Sequence, residues 1–435
     1  MFWNVSPHPY HILTNILVTK EALYGSSCTE SIQILFLKTQ LNNLVAQYLS
    51  RTLRNTIRTQ VDHTYVIDRI YGHLWYLPDN NQISEAYACE LYSAINSFEI
   101  LFFLSALLLM AQKVVERNVT QYDDIPSARS SHTLTAIDNF LYLFGGEHDP
   151  RVPIDNDVWQ FNTDDNHWKR LLVNRGERPA PRLGHAAAAV AHKLFIFGGR
   201  TSVGMNDSTL DDLYSFDTDT NEWTQHEKAS DAKYWPEKRS YHSMVSVADQ
   251  LFVFGGCGEV DRLNSLWQFD TCNKQWRQLP SPDSQQLAGR GGCALVYLNN
   301  ALWVYGGFCG HELDDIARFD LSTQTWTYLT HARISPRSVF AFGCLNGVLL
   351  GHGGEQDPSK LGHAGAGEFA DDVIVIQPVN ENGDRVETKR LEFVKPIGGK
   401  RGWHAGATIK NTFYVFGGNT SENERDNSLL AIEFQ

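Results

Sequence analysis

The chain has 435 residues, of which 42% are hydrophobic and 20% charged, a balance that suits a globular protein and excludes a wholly disordered one. With 37 Lys and Arg against 50 Asp and Glu, the net charge of −13 repels phosphates and excludes a broad nucleic-acid surface. The 7 cysteines include no CxxC pair and no regular spacing, which excludes a zinc ribbon and a disulfide framework; the odd count fits a reducing compartment.

The first residues, "MFWNVSPHPYHILTNILV", lack the basic start and clean apolar core of a secretory signal, so a cytoplasmic or nuclear location, not secretion, is expected. Residues 31–60, "SIQILFLKTQLNNLVAQYLSRTLRNTIRTQ", carry apolar residues near helical spacing without Gly or Pro, and residues 72–99 hint at a second helix. The apolar run Ile100–Ala111 falls short of the roughly 20 residues that span a bilayer, so a buried or interfacial helix is expected and no membrane partner. Residues 1–109 hold no repeat or motif and are predicted to be a mainly helical or irregular extension of unassigned function. They carry 6 Lys and Arg against 8 Asp and Glu; the remainder carries 31 against 42, so the acidity belongs to residues 110–435.

From residue 129 the chain repeats itself. Gly-Gly doublets follow an apolar strand at 145, 198, 255, 306, 353 and 417, and an arginine precedes each by 16 residues: Arg129, Arg182, Arg239, Arg290, Arg337 and Arg401. The constant interval marks one rigid unit of strand, turn and strand, as in "RLGHAAAAVAHKLFIFGG". A variable loop follows, then a hairpin in which Phe161, Phe216, Phe269 and Phe319 each precede a tryptophan by seven residues. Four strands in roughly 50 residues is the pattern of a propeller blade. The fifth repeat lacks the tryptophan, and the sixth has only one strand after its doublet, "SLLAIEF". The spare strand Lys113–Tyr122 is predicted to complete that last blade and close the ring, which removes an exposed edge.

In antiparallel strand pairs the arginine end of the first strand lies beside the doublet end of the second. One mouth of the channel is therefore expected to gather the six arginines, the post-doublet residues Glu147, Arg200, Cys257, Phe308, Glu355 and Asn419, and the residues two after each arginine, among them Ser131, Tyr241 and Trp403. Two readings of the arginines stay open. They form a positive collar for a small anion, or each clamps its own blade as a structural residue. The recurring His132, His185, His242 and His404 read as scaffold. The asymmetric features, namely Arg200, Tyr241, Trp403 and the loop with Glu355 and His363, are the informative ones.

The doublet-aromatic-tryptophan pattern resembles the Kelch motif and predicts an all-β, six-bladed propeller over residues 110–435. Within it, "ARSSH", "FGGR", "KRSYHS", "GRGG", "PRSVFA", "RGW" and "NERDNSLL" resemble the specifier proteins of glucosinolate breakdown. The resemblance implies action on a sulfated aglucone, dependence on Fe(II), and an E-x3-D-x3-H ligand set after the fifth doublet. Glu355 and His363 match its outer positions; Ser359 holds the middle one, with Asp357 two residues early as the substitute ligand. The ligand-facing positions implied are Arg200, Tyr241 and Arg290, and the reading of the mouth adds Arg337 and Trp403. The partner expected at this arginine-rich face is a small anion, or, in a non-catalytic interaction scaffold, a protein. A copper oxidase of the galactose-oxidase type ranks last, because these loops show no matching Tyr/His/Cys set.

Overall fold

The computed structural model describes residues 114–434, apart from 203–208, 229–233, 330–333, 379–382, 384, 392 and 394–396. The helices expected before residue 110 lie outside the described residues. Six antiparallel sheets of four principal strands each form the blades. Their innermost strands begin at Thr133, Ala186, Ser243, Ala294, Ala341 and Ala405. Each contacts the next in chain order, and the sixth contacts the first. The ring closes as expected: Val114–Asn118 pairs with Arg425–Phe434 and supplies the outer strand of blade six.

The constant 16-residue interval has a direct physical cause. In every blade the arginine Nη1 donates to the carbonyl of the first glycine of its own doublet, at 2.8–3.0 Å. The second glycine then donates its N–H to the carbonyl of the next blade's arginine, at 2.8–2.9 Å, and Gly418 to Arg129 completes the circuit. Both glycines have positive φ, and a Cβ on Gly145 would lie 2.5 Å from the Arg182 carbonyl oxygen, so no other residue fits. The guanidinium charge is matched by Asp155, Asp212, Glu237, Asp315, Asp372 and Asp426 in turn.

The phenylalanine–tryptophan hairpin seals the blades together. Phe161–Trp168, Phe216–Trp223, Phe269–Trp276 and Phe319–Trp326 are cross-strand partners in register. Each indole also meets an aromatic of the preceding blade: Trp168 with Phe416, Trp223 with Phe144, Trp276 with Phe197 and Trp326 with Phe254, at 5.1–5.7 Å between centroids. The recurring histidines pack the same way, His185 edge-on to Phe144 and His242 to Phe197, and Phe340 takes that place in blade five against Tyr305. They are scaffold, as expected.

Two outcomes follow for stability. Arg337 and Asp372 are both sealed from solvent, so Arg337→Met is expected to cost about 3–5 kcal/mol in urea titrations. Arg117→Ala, at the exposed pair with Glu433, is expected to cost less than about 1 kcal/mol. Burial holds His132 down to about 3 and His185, His242 and His404 well below their ordinary value. These rings are neutral when folded and take up protons on unfolding. Their contribution is complete above about pH 6.5 and is lost as pH falls, by up to about 1.4 kcal/mol per pH unit for each ring. The urea midpoint is therefore expected to drop between pH 7 and 5, and His132→Phe to make that drop shallower.

Candidate functional site

The residue two after each arginine lines one mouth of the channel in a closed backbone circuit. Gly184 donates its N–H to Ser131, Tyr241 to Gly184, Gly292 to Tyr241, Val339 to Gly292, Trp403 to Val339 and Ser131 to Trp403, at 2.6–2.9 Å. All six have φ between 47° and 64°. Outside this circuit, the post-doublet residues bridge to the neighbours of the arginines, Glu147 to Ser130, Arg200 to Leu183 and Glu355 to Ser338 among them.

Four expected site residues meet here. Tyr241 and Trp403 stand 5.4 Å apart in a T-shaped contact, and the Arg200 guanidinium lies 5.9 Å from the Tyr241 ring centroid. His363 reaches over from the blade-five loop, edge-on to Trp403 at 4.5 Å, with Nε2 3.3 Å from the Tyr241 hydroxyl. Its hydrogen-bond partner is Glu147 of blade one, at 2.8 and 3.1 Å to the two carboxylate oxygens. Glu147 is fully buried and also accepts from Ser131 Oγ at 2.6 Å and from the Arg151 N–H. Burial alone would raise its carboxyl, but His363, Ser131 and Arg151 together hold it below the ordinary value. Burial pushes the Tyr241 phenol well above 10, so it keeps its proton at neutral pH.

Two expected ligand contacts are corrected. Arg290 and Arg337 are fully buried, and their guanidinium groups are committed to Gly306 with Asp315 and to Gly353 with Asp372. They offer no surface to a ligand. No positive collar forms, because all six repeat arginines are blade clamps.

The expected metal set is also dispersed. Glu355 accepts the backbone N–H groups of Ser359 and Gly367 and so clasps the base of its own loop. Asp357 is exposed and pairs with Glu368 in a short ladder, while His363 turns to Glu147. Among the described residues no three His, Cys, Asp or Glu side chains form a group able to hold a metal. This donor set does not fit a three-ligand Fe(II) centre. Burial first, and the Glu312 carboxylate second, raise Glu355 to about 7 against the pull of its two amides. Burial raises Glu312 as well, so this side of the mouth is an acidic wall. The 5 described cysteines are free, and no described helix is long and apolar enough to cross a membrane.

The clasp explains two of the glycines in "GGEQDPSKLGHAGAGEF", Gly365 and Gly367. A Cβ on Gly367 would lie 2.1 Å from Glu355 Oε1, and one on Gly365 2.2 Å from Ser359 Oγ. Gly367→Ala is therefore expected to spring the loop and to speed tryptic cleavage after the exposed Lys360 several-fold, with the thermal midpoint of the propeller nearly unchanged. Equal cleavage rates would show that Glu355 does not hold the loop.

Residues 131–354 match the KLHDC2/KLHL20/DRC7 Kelch-repeats domain. The chain is 30% identical to the N-(sulfonatooxy)prop-2-enimidothioate sulfolyase of Thlaspi arvense, over 70% of this chain and 92% of that protein. It is 26% identical to the leucine-zipper-like transcriptional regulator 1 homolog of Drosophila melanogaster, over 71% of this chain but 31% of that protein. It is likewise 26% identical to Kelch domain-containing protein 3 of Bos taurus, over 46% of this chain and 54% of that protein. Together with the six closed blades, these matches establish that the chain belongs to the Kelch-repeat β-propeller family and counts a sulfolyase among its relatives.

Proposed function

We propose that the mouth binds a small sulfated organic ligand and assists the loss of its sulfate, as the name of the Thlaspi arvense relative describes for that protein. One observation carries this reading. Side chains from five blades, Glu147, Arg200, Tyr241, His363 and Trp403, converge in one place and break the repeat. A scaffold repeats its residues in every blade; a ligand of low symmetry needs different groups on different sides. Arg200 supplies a positive charge beside Tyr241 for a sulfate, and Tyr241 and Trp403 supply flat apolar walls.

Fe(II), implied by the resemblance, enters this proposal only as a question for the assay, since Glu355, Asp357 and His363 face different partners. The test is sulfate release from N-(sulfonatooxy)prop-2-enimidothioate by the full chain, with Fe(II) and with a chelator. Release above the buffer rate is expected, with a loss of about 10²-fold in Arg200→Met. Release at the buffer rate under both conditions would end the reading.

A second reading has support from the rim. Val260 and Leu361, in the loops after the third and fifth doublets, are 92% and 74% exposed on the face that carries the mouth. A protein partner docking there would cover them. That reading predicts binding that Val260→Asp and Leu361→Asp weaken and Arg200→Met leaves intact.

A further inference from the structure

The pairing of Glu147 with His363 joins residues 216 positions apart in the chain, and neither the repeat nor the ring closure needs it. An ionised carboxylate can only accept, so the proton between them sits on Nε2 of His363. A neutral imidazole protonated there carries its lone pair on Nδ1. Nδ1 has no partner among the described residues, and the imidazole stands edge-on to Trp403 and tilted to Tyr241. Around it, Glu147 is already bonded, the Tyr241 phenol keeps its proton, and Arg200 and Arg425 bear fixed positive charge near Tyr241 and Glu147. Among the described residues of this cluster, His363 is thus the one group that can take up a proton from a ligand.

We propose that His363 and Glu147 form an acid–base dyad at the mouth, with His363 Nδ1 as the proton acceptor and Glu147 as the positioning residue. The ligand class is a small planar molecule with a weakly acidic C–H or S–H, lying against Trp403 and Tyr241 with its leaving anion toward Arg200. In the step, the ligand's bond to hydrogen breaks and its electron pair stays with the ligand. The proton binds Nδ1, and the charge of the imidazolium is balanced by Glu147 through Nε2–H. This deepens the sulfate-loss reading and rests on the same mouth, but its test uses no sulfate.

The probe is 5-nitrobenzisoxazole with the full chain. A base removes its ring C–H proton, the freed pair forms a C≡N bond, and the N–O bond breaks to release a coloured phenolate. The wild type is expected to exceed the same concentration of free imidazole. His363→Ala is expected to lose about 10²-fold or more, the usual worth of a positioned base. Glu147→Gln is expected to lower the rate and displace its pH profile, because an amide still accepts from Nε2–H but does not neutralise an imidazolium. Thermal melts establish that each variant is folded, and His363, in a surface loop, carries the test if Glu147→Gln is not. A wild type no faster than imidazole, or a folded His363→Ala with the wild-type rate, overturns the dyad. Proton abstraction without sulfate release would remove the sulfate reading and leave the dyad standing.

Discussion

Every blade is held by one repeated contact, a buried guanidinium whose Nη1 donates to the carbonyl of a glycine 16 residues on. That contact fixes where the second strand ends, and hence where the second glycine can reach the neighbouring blade. A buried arginine is costly unless its donors are matched, and here the glycine carbonyl and an acidic side chain take up the guanidinium in each blade, with Nε of Arg337 the one such nitrogen left without an acceptor. Nothing bulkier than glycine fits at the doublet, so the scaffold constrains a few positions severely and leaves the loops between them free.

Much of this was legible in the sequence, for reasons that particular residues make clear. Equal spacing from Arg129 to Gly145 and from Arg401 to Gly417 means equal geometry, so the rigid unit could be read without coordinates. The seven-residue step from Phe161 to Trp168 is a hairpin in register, and the surplus strand beginning at Lys113 had only one edge to fill. Spacing locates a side chain along the chain but not its direction. Arg290 and Arg337 occupy the predicted end of their blades, yet they point into the protein.

The candidate site was harder to read for a related reason. Glu355 and His363 are eight residues apart in a loop, and loop spacing carries no periodicity that says which side chains meet. The loop instead uses Glu355 to bind its own amides, which frees His363 to reach blade one. Glu147 was placed at the mouth by its position after the first doublet, but no local pattern pairs it with a residue 216 positions away. Only the closed ring brings blades one and five to the same imidazole. The mouth that results is uneven in charge, with Arg200 beside Tyr241 and the raised carboxyls of Glu312 and Glu355 on another side.

The six left-handed residues of the axial circuit carry a wider implication. Ser131, Gly184, Tyr241, Gly292, Val339 and Trp403 differ in size and polarity, yet they adopt one backbone shape and exchange the same main-chain bonds. Peptide groups alone carry that circuit, so Ser131, Tyr241, Val339 and Trp403 are not held there by their side chains, whereas Gly184 and Gly292 are fixed, because a Cβ would lie 2.8 Å from the Tyr241 ring and 2.7 Å from Val339 Cγ1. A lineage, or an engineer, can exchange those four letters one at a time and so rewrite what the pore prefers, while the two glycines keep the wheel closed.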